Sequence, residues 1–188
     1  MATVNLPIFP LPVFLLSKGV TRLRIFEKRY LKMVAHAMKN DGFIVLPYGK
    51  AEKVSDMPTG SWVEIVNFDQ GEDGLLLIDV QCKCLVDIHL MTQDKDKLHH
   101  GDVSIKKHWS DSGEDNTADQ LADSLNKAFD ENTELTALYR QAYFSQDSWV
   151  VARWLELLPV NIDEKRLFVE PGSFGAAKEF LQNIILLE

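Results

Sequence analysis

The sequence predicts an α+β protein, with a β-rich half at about residues 1–110 and a helical half at about 115–188. Three observations carry this. Apolar residues between positions 6 and 105 fall in short, strand-like runs broken by turn residues. One 3.6-residue stripe interrupts them near position 30, and beyond position 116 helical stripes take over. Strands first and helices later argue against a parallel α/β sheet.

The elements follow in order. Leu6–Leu16 is apolar but holds Pro7, Pro10 and Pro12, so it reads as an edge strand with kinks. Lys18-Gly19 is a turn signal, and Thr21–Ile25 alternates as a short strand. Phe26, Tyr30, Met33, Val34, Ala37 and Met38 form a helical stripe that Asn40-Asp41-Gly42 ends. Phe43–Pro47, Ser61–Phe68 and Leu75–Leu90 read as strands, with a glycine turn at Asp69–Gly74. Asp94–Gly101 reads as a polar loop, and Val103 and Ile105 suggest one more strand. Ser110–Asn116 is the candidate boundary. Asn116 or Thr117 caps a helix running to about Tyr143, with Leu121, Leu125, Phe129, Leu135 and Leu138 as core candidates and a potential break at Asn132-Thr133. A helix from Ser145 or Asp147 ends at Pro159. Asn161 or Asp163 caps a short one, and Ser173 caps the last.

The net charge of −8 is unevenly spread. Residues 1–50 carry eight basic and two acidic side chains, while the remainder is strongly acidic. An acidic body argues against nucleic acid as partner, because phosphate neutralisation needs clustered cations. Lys28, Lys32, His36 and Lys39 share one face of the predicted helix, next to Arg29. That face is either solvated or meets an acidic surface: a client segment, a partner, or a second copy in a homo-oligomer. Cys82 and Cys84 stand too close on one strand for a good disulfide, and a reducing, cytoplasmic setting is expected. No signal peptide is visible, and no apolar run approaches a membrane span.

Sites of catalysis are sparse. No P-loop, G-x-G-x-x-G, G-x-S-x-G or H-E-x-x-H occurs. His89, His99, His100 and His108 with nearby aspartates read as solvated loop residues, so no metal and no cofactor are expected.

One stretch is distinctive: Leu6-Pro7-Ile8-Phe9-Pro10-Leu11-Pro12, then Leu23-Arg24-Ile25-Phe26-Glu27-Lys28-Arg29-Tyr30. It resembles the opening of the Lon protease N-terminal domain. Asp73-Gly74-Leu75-Leu76 and Glu156-Leu157-Leu158-Pro159 resemble later motifs of that family in the same order. Cys82 and Cys84 stand about where the family often has Gly and Arg. The resemblance implies a PUA-like β pseudo-barrel with one inserted helix, followed by a helical bundle. It also implies a non-catalytic, stand-alone substrate-binding protein whose partners are protein or peptide clients and a full-length Lon protease. A PUA-like RNA-binding module and a barrel that holds a small ligand are the alternatives. Phe9, Leu11, Phe14 and Leu15 crowd the proline-kinked segment and are expected to line a groove for apolar peptides. Lys28, Arg29, Lys32 and Lys39 are expected to add charge. Phe26 and Tyr30 are expected to plug the barrel end. Arg24, Glu27 and Arg29 either form an ion-pair network or touch the ligand directly.

Overall fold

The computed structural model describes residues 3–48, 58–110 and 118–186. The sequence-predicted boundary at Ser110–Asn116 falls almost wholly outside these residues, as do the cap at Asn116 or Thr117 and Lys50. The chain divides into two compact units, Met1–Lys106 and Lys107–Glu188.

Among the described residues, the first unit holds six strands and one helix: β1 (Val4–Leu11), β2 (Val20–Ile25), α1 (Lys28–Ala37), β3 (Phe43–Pro47), β4 (Thr59–Gln70), β5 (Leu76–Gln93) and β6 (His99–Lys106). The sheet order is β2-β5-β4-β3-β1-β6, and β6 also pairs with the second half of β5. Five strands therefore close on themselves, with β2 attached beside the first half of β5. All neighbours are antiparallel except β1 and β3, which are parallel.

β1 is an internal strand, not the edge its prolines suggest. Val4–Ile8 pairs with β6 and Ile8–Leu11 pairs with β3. Each half has one strand partner, so the missing N–H of Pro7 or Pro10 is tolerated on the other side. Both faces of β1 and β3 are buried. Ile8 and Ile44 enter one apolar cluster with Leu6, Val86, Ile88 and Val103. Phe9, Phe43 and Val45 enter another, against α1. A strand covered on both faces has no reason to alternate, which explains the unbroken apolar run Phe43–Leu46.

Helix α1 packs Tyr30, Met33, Val34 and Ala37 onto the sheet. The predicted stripe runs one residue too far at each end. Phe26 precedes the helix and is 65% exposed, and Met38, its C-cap, is 62% exposed. Phe26 therefore does not enter the core; Tyr30 is buried in it, stacked on Phe9 with ring centroids 3.9 Å apart.

Asp79 on β5 ties the strip β2-β5-β4 together. Arg22 donates to both its carboxylate oxygens, at 2.7 and 3.0 Å, and Asn67 donates at 3.0 Å. These bonds, Arg22 first, hold the Asp79 carboxyl below its ordinary 3.8, against the opposing effect of burial. The stabilisation is thus complete above the ordinary carboxylate range and is lost as pH falls through it toward the lower folded value. Asp79→Asn is expected to flatten the acid limb of stability: urea midpoints of wild type and variant should differ at about pH 6 and converge toward about pH 3.

The second unit contains α2 (Asp119–Glu131), α3 (Thr133–Leu138), α4 (Asp147–Leu157), α5 (Ile162–Lys165), a 3-10 turn (Arg166–Phe168) and α6 (Phe174–Ile185). The long helix predicted to Tyr143 instead breaks at Asn132, whose side chain accepts from Leu135 N–H and starts α3. Tyr139–Phe144 is non-helical, and Leu135 and Leu138 are only half-buried. Asn161 caps α5 as expected, accepting from Glu164 N–H at 2.9 Å. Ser173 occupies the N-cap of α6 without a capping bond. Its hydroxyl donates to Glu170 O and accepts from Trp109 Nε1.

Candidate functional site

Helix α1 ends beside β4, and a cleft of about 280 Å³ opens there. Met38, Asp41 and Gly42 line it from the α1–β3 turn, Ile65 and Phe68 from β4, and Lys83 from β5, with Glu64 at the rim. Two irregularities in the β4–β5 ladder shape it. Trp62 opposes Cys84 and Val63 opposes Cys82, so Lys83 has no opposite residue. Ile65 opposes Val80 and Asn67 opposes Asp79, so Val66 has none. A regular pleat would send Ile65 and Phe68, three apart, to opposite faces. The extra residue at Val66 turns both toward the cleft. Phe68 is left 43% exposed and lines the cleft together with Met38.

Polar groups frame this apolar pair. Lys83 Nζ lies 4.6 Å from the Trp62 ring centroid, and Trp62 Nε1 donates to the Asp41 carbonyl. The carboxylates of Asp41 and Glu64 are exposed. Burial pushes the Cys84 thiol up, with Lys83 opposing the shift, so it is a poor nucleophile.

The structure separates the sequence-predicted site residues. Phe9, Phe14 and Leu15 are buried, and Leu11 is half-buried against the same core. Among the described residues these side chains therefore turn into the core and do not line an exposed groove. The main chain of the proline-kinked segment finds partners inside: Ser61 Oγ donates to Leu15 O at 2.6 Å, and Lys18 N–H donates to Cys82 O at 2.8 Å. With its polar groups satisfied, the segment can bury its side chains.

Lys28, Lys32 and His36 are exposed along one face of α1, and Lys39 is exposed in the turn just past its C-cap. Lys32 Nζ donates to Asp96 at 2.7 Å. Arg29 is a tie: its guanidinium bonds Glu27 at 2.9 Å, donates to Lys97 O at 3.1 Å and lies over the Tyr30 ring. Arg24 does not join that pair; it binds Asp73 in the β4–β5 hairpin.

One nucleophile–base contact also forms: His89 Nε2 is 2.7 Å from Ser104 Oγ. Ser104 is buried, and the neighbouring Asp87 carboxylate is bound to Lys106 at 3.3 Å, so it does not orient the imidazole. Among the described residues, no three His, Cys, Asp or Glu side chains converge as a metal site. No helix of these residues is long and apolar enough to cross a membrane.

The family model for the ATP-dependent protease La (LON) substrate-binding domain matches residues 5–166. The chain belongs to the Lon substrate-binding domain family. Solved structures agree. A Lon N-terminal domain protein from Xanthomonas campestris is 25% identical, with a TM-score of 0.70, covering 92% of this chain and 95% of that one. The N-terminal domain of a Mycobacterium avium complex Lon protease is 10% identical, with a TM-score of 0.67, covering 96% and 97%. The latter speaks for the fold alone. No curated protein matches. The Lon family assignment supports substrate binding as the general role, and a Lon substrate-binding domain is itself non-catalytic. The Lon match spans β1 to the 3-10 turn, so the bulge-framed cleft and the exposed face of α1 both lie within it.

Proposed function

We propose that this Lon-type domain binds protein clients through extended apolar segments, as a recognition module without catalysis. The observation that carries the reading is the cleft in which Met38 and Phe68 stay exposed while two ladder irregularities hold their surroundings in shape. A preformed cleft that sets Met38, Ile65 and Phe68 among polar and charged groups suits one inserted side chain better than a bulky folded surface. The basic face of α1 would steer clients that carry acidic residues.

The test is binding of fluorescently labelled, reduced and carboxymethylated lactalbumin, with the folded protein as control. The unfolded form should bind and the folded form should not. Met38→Ser with Phe68→Ser should weaken binding by about tenfold or more, as expected for loss of an apolar anchor pair. Lys28→Glu, Lys32→Glu and Lys39→Glu together should leave the fold intact and flatten or reverse the salt dependence. An unchanged salt slope would assign that face to solvent alone.

A further inference from the structure

The cleft adjoins an open strand edge. β4 pairs with β5 along its length, but β3 reaches only Ser61–Val63. On the side away from β5, residues 67–70 have no strand partner among the described residues. The phase of the ladder shows which main-chain groups face that side. Gly71 N–H donates to Leu75 O at 2.9 Å and closes the hairpin. In an antiparallel pair, hydrogen-bonded and non-bonded positions alternate. Counting back from Gly71–Leu75, Asp69–Leu77 is a bonded pair, whereas Gln70–Leu76 and Phe68–Ile78 are not. The main chains of Phe68 and Gln70 therefore point away from β5. The Gln70 N–H is taken by Asp69 Oδ1 at 2.8 Å. Phe68 thus presents its N–H and C=O to the open edge, while its ring lines the cleft.

The other outer strand of this strip is guarded. β2 carries exposed Arg22 and Arg24, held by Asp79, Asp69 and Asp73. Charged side chains on an edge discourage added strands. β4 instead offers an aromatic side chain and an unclaimed pair of main-chain groups at one residue.

We infer that a client enters as an added β-strand on β4, pairing its main chain with Phe68 and seating an apolar side chain between Met38 and Phe68. Such an edge is matched by another extended main chain, and alternate side chains then supply selectivity. Asp41 and Glu64 flank the cleft, while Lys83 lies over Trp62. The stretch of client seated in the cleft therefore alternates apolar and basic residues, while the acidic residues that α1 steers lie elsewhere in the client. This mode rests on the peptide-binding reading above.

The probe is a short labelled peptide alternating leucine and lysine, titrated by fluorescence anisotropy. Phe68→Ala and Phe68→Pro both lose the ring, but only proline loses the outward N–H. The β4–β5 ladder does not use that N–H, so the strand should tolerate proline there. Phe68→Pro should bind about tenfold more weakly than Phe68→Ala, as for one lost hydrogen bond that leaves its partner unsatisfied. In the wild type, bound peptide should slow amide exchange at Phe68, and peptide N-methylated at alternate positions should not bind. If Phe68→Pro does not fold, the exchange and N-methyl measurements decide. Equal binding by the two variants, with Phe68 exchange unchanged under bound peptide, overturns strand addition. If Met38→Ser still weakens that binding, the cleft reading survives alone. A wild type that binds no peptide overturns both.

Discussion

Gly42→Ala is expected to cost the barrel unit about 3 kcal/mol or more, and to lower its melting transition by roughly 10–20 °C. Two penalties combine. Gly42 has φ +82°, in the left-handed region where a side chain costs about 1–2 kcal/mol. A Cβ there would also stand 2.0 Å from the Val63 carbonyl oxygen and 3.1 Å from its carbon. These are backbone atoms of β4, so relief requires parting β3 from β4 where Phe43 pairs with Val63. Gly74 supplies the control. Its φ is +79°, but the nearest atom to its added Cβ is the flexible Gln70 Nε2 at 3.8 Å. Gly74→Ala should therefore cost only the conformational strain, about 1 kcal/mol. Calorimetry of both variants checks the pair. Equal losses would show that steric approach to β4 does not set the cost. Gly42 also lines the cleft, so a partly folded Gly42→Ala protein should bind the peptide probe poorly.

The glycine at this turn was legible as a helix stop, since Asn40-Asp41-Gly42 carries a common end signal. Its contact with Val63 was not, because nothing local reports a partner twenty-one residues away. The same division runs through the fold. The buried stripe Tyr30, Met33, Val34 and Ala37 is periodic, and the short strand Phe43–Pro47 lies where its apolar run places it. The internal position of β1 was hidden because proline argues locally for an edge, whereas β6 and β3 each take only part of the strand. The cleft was hidden for a related reason. Alternation through residues 61–68 reads as one regular strand, and the irregularities at Lys83 and Val66 are properties of pairing, not of composition. The exposed face of α1 was readable from spacing, but the attachment of Lys32 to Asp96 and of Arg29 to Lys97 required the β5–β6 turn to be placed.

The helical unit depends on a charge pair that its sequence does not announce. Arg153 is 0% exposed at the centre of α4. Its Nη2 donates to Glu156 Oε1 at 2.8 Å, and its Nε lies 2.8 Å from Oε2. The guanidinium sits 5.4 Å from the Trp149 ring centroid and 6.0 Å from that of Tyr139, within a cluster that includes Phe129 and Phe144. Lys165, also buried, donates to the Glu156 main-chain carbonyl at 3.0 Å. Burial pulls the Lys165 ammonium pKa down while the Glu156 carboxylate pushes it back up. Glu156 therefore answers two buried cations. Glu156→Ala should destabilise this unit by about 3–5 kcal/mol, because it leaves the guanidinium buried without its carboxylate. The double variant Arg153→Met, Glu156→Leu should regain most of that loss and could exceed the wild type, since it removes both desolvated charges and keeps the volume. Urea unfolding followed by tryptophan fluorescence reads the effect, as Trp109, Trp149 and Trp154 all lie in this unit. A Glu156→Ala protein within about 1 kcal/mol of wild type would show that the aromatic rings alone sustain the buried guanidinium. A double variant no better than the single one would show that Arg153 is held for its packing against Trp149 and Tyr139, not for its charge.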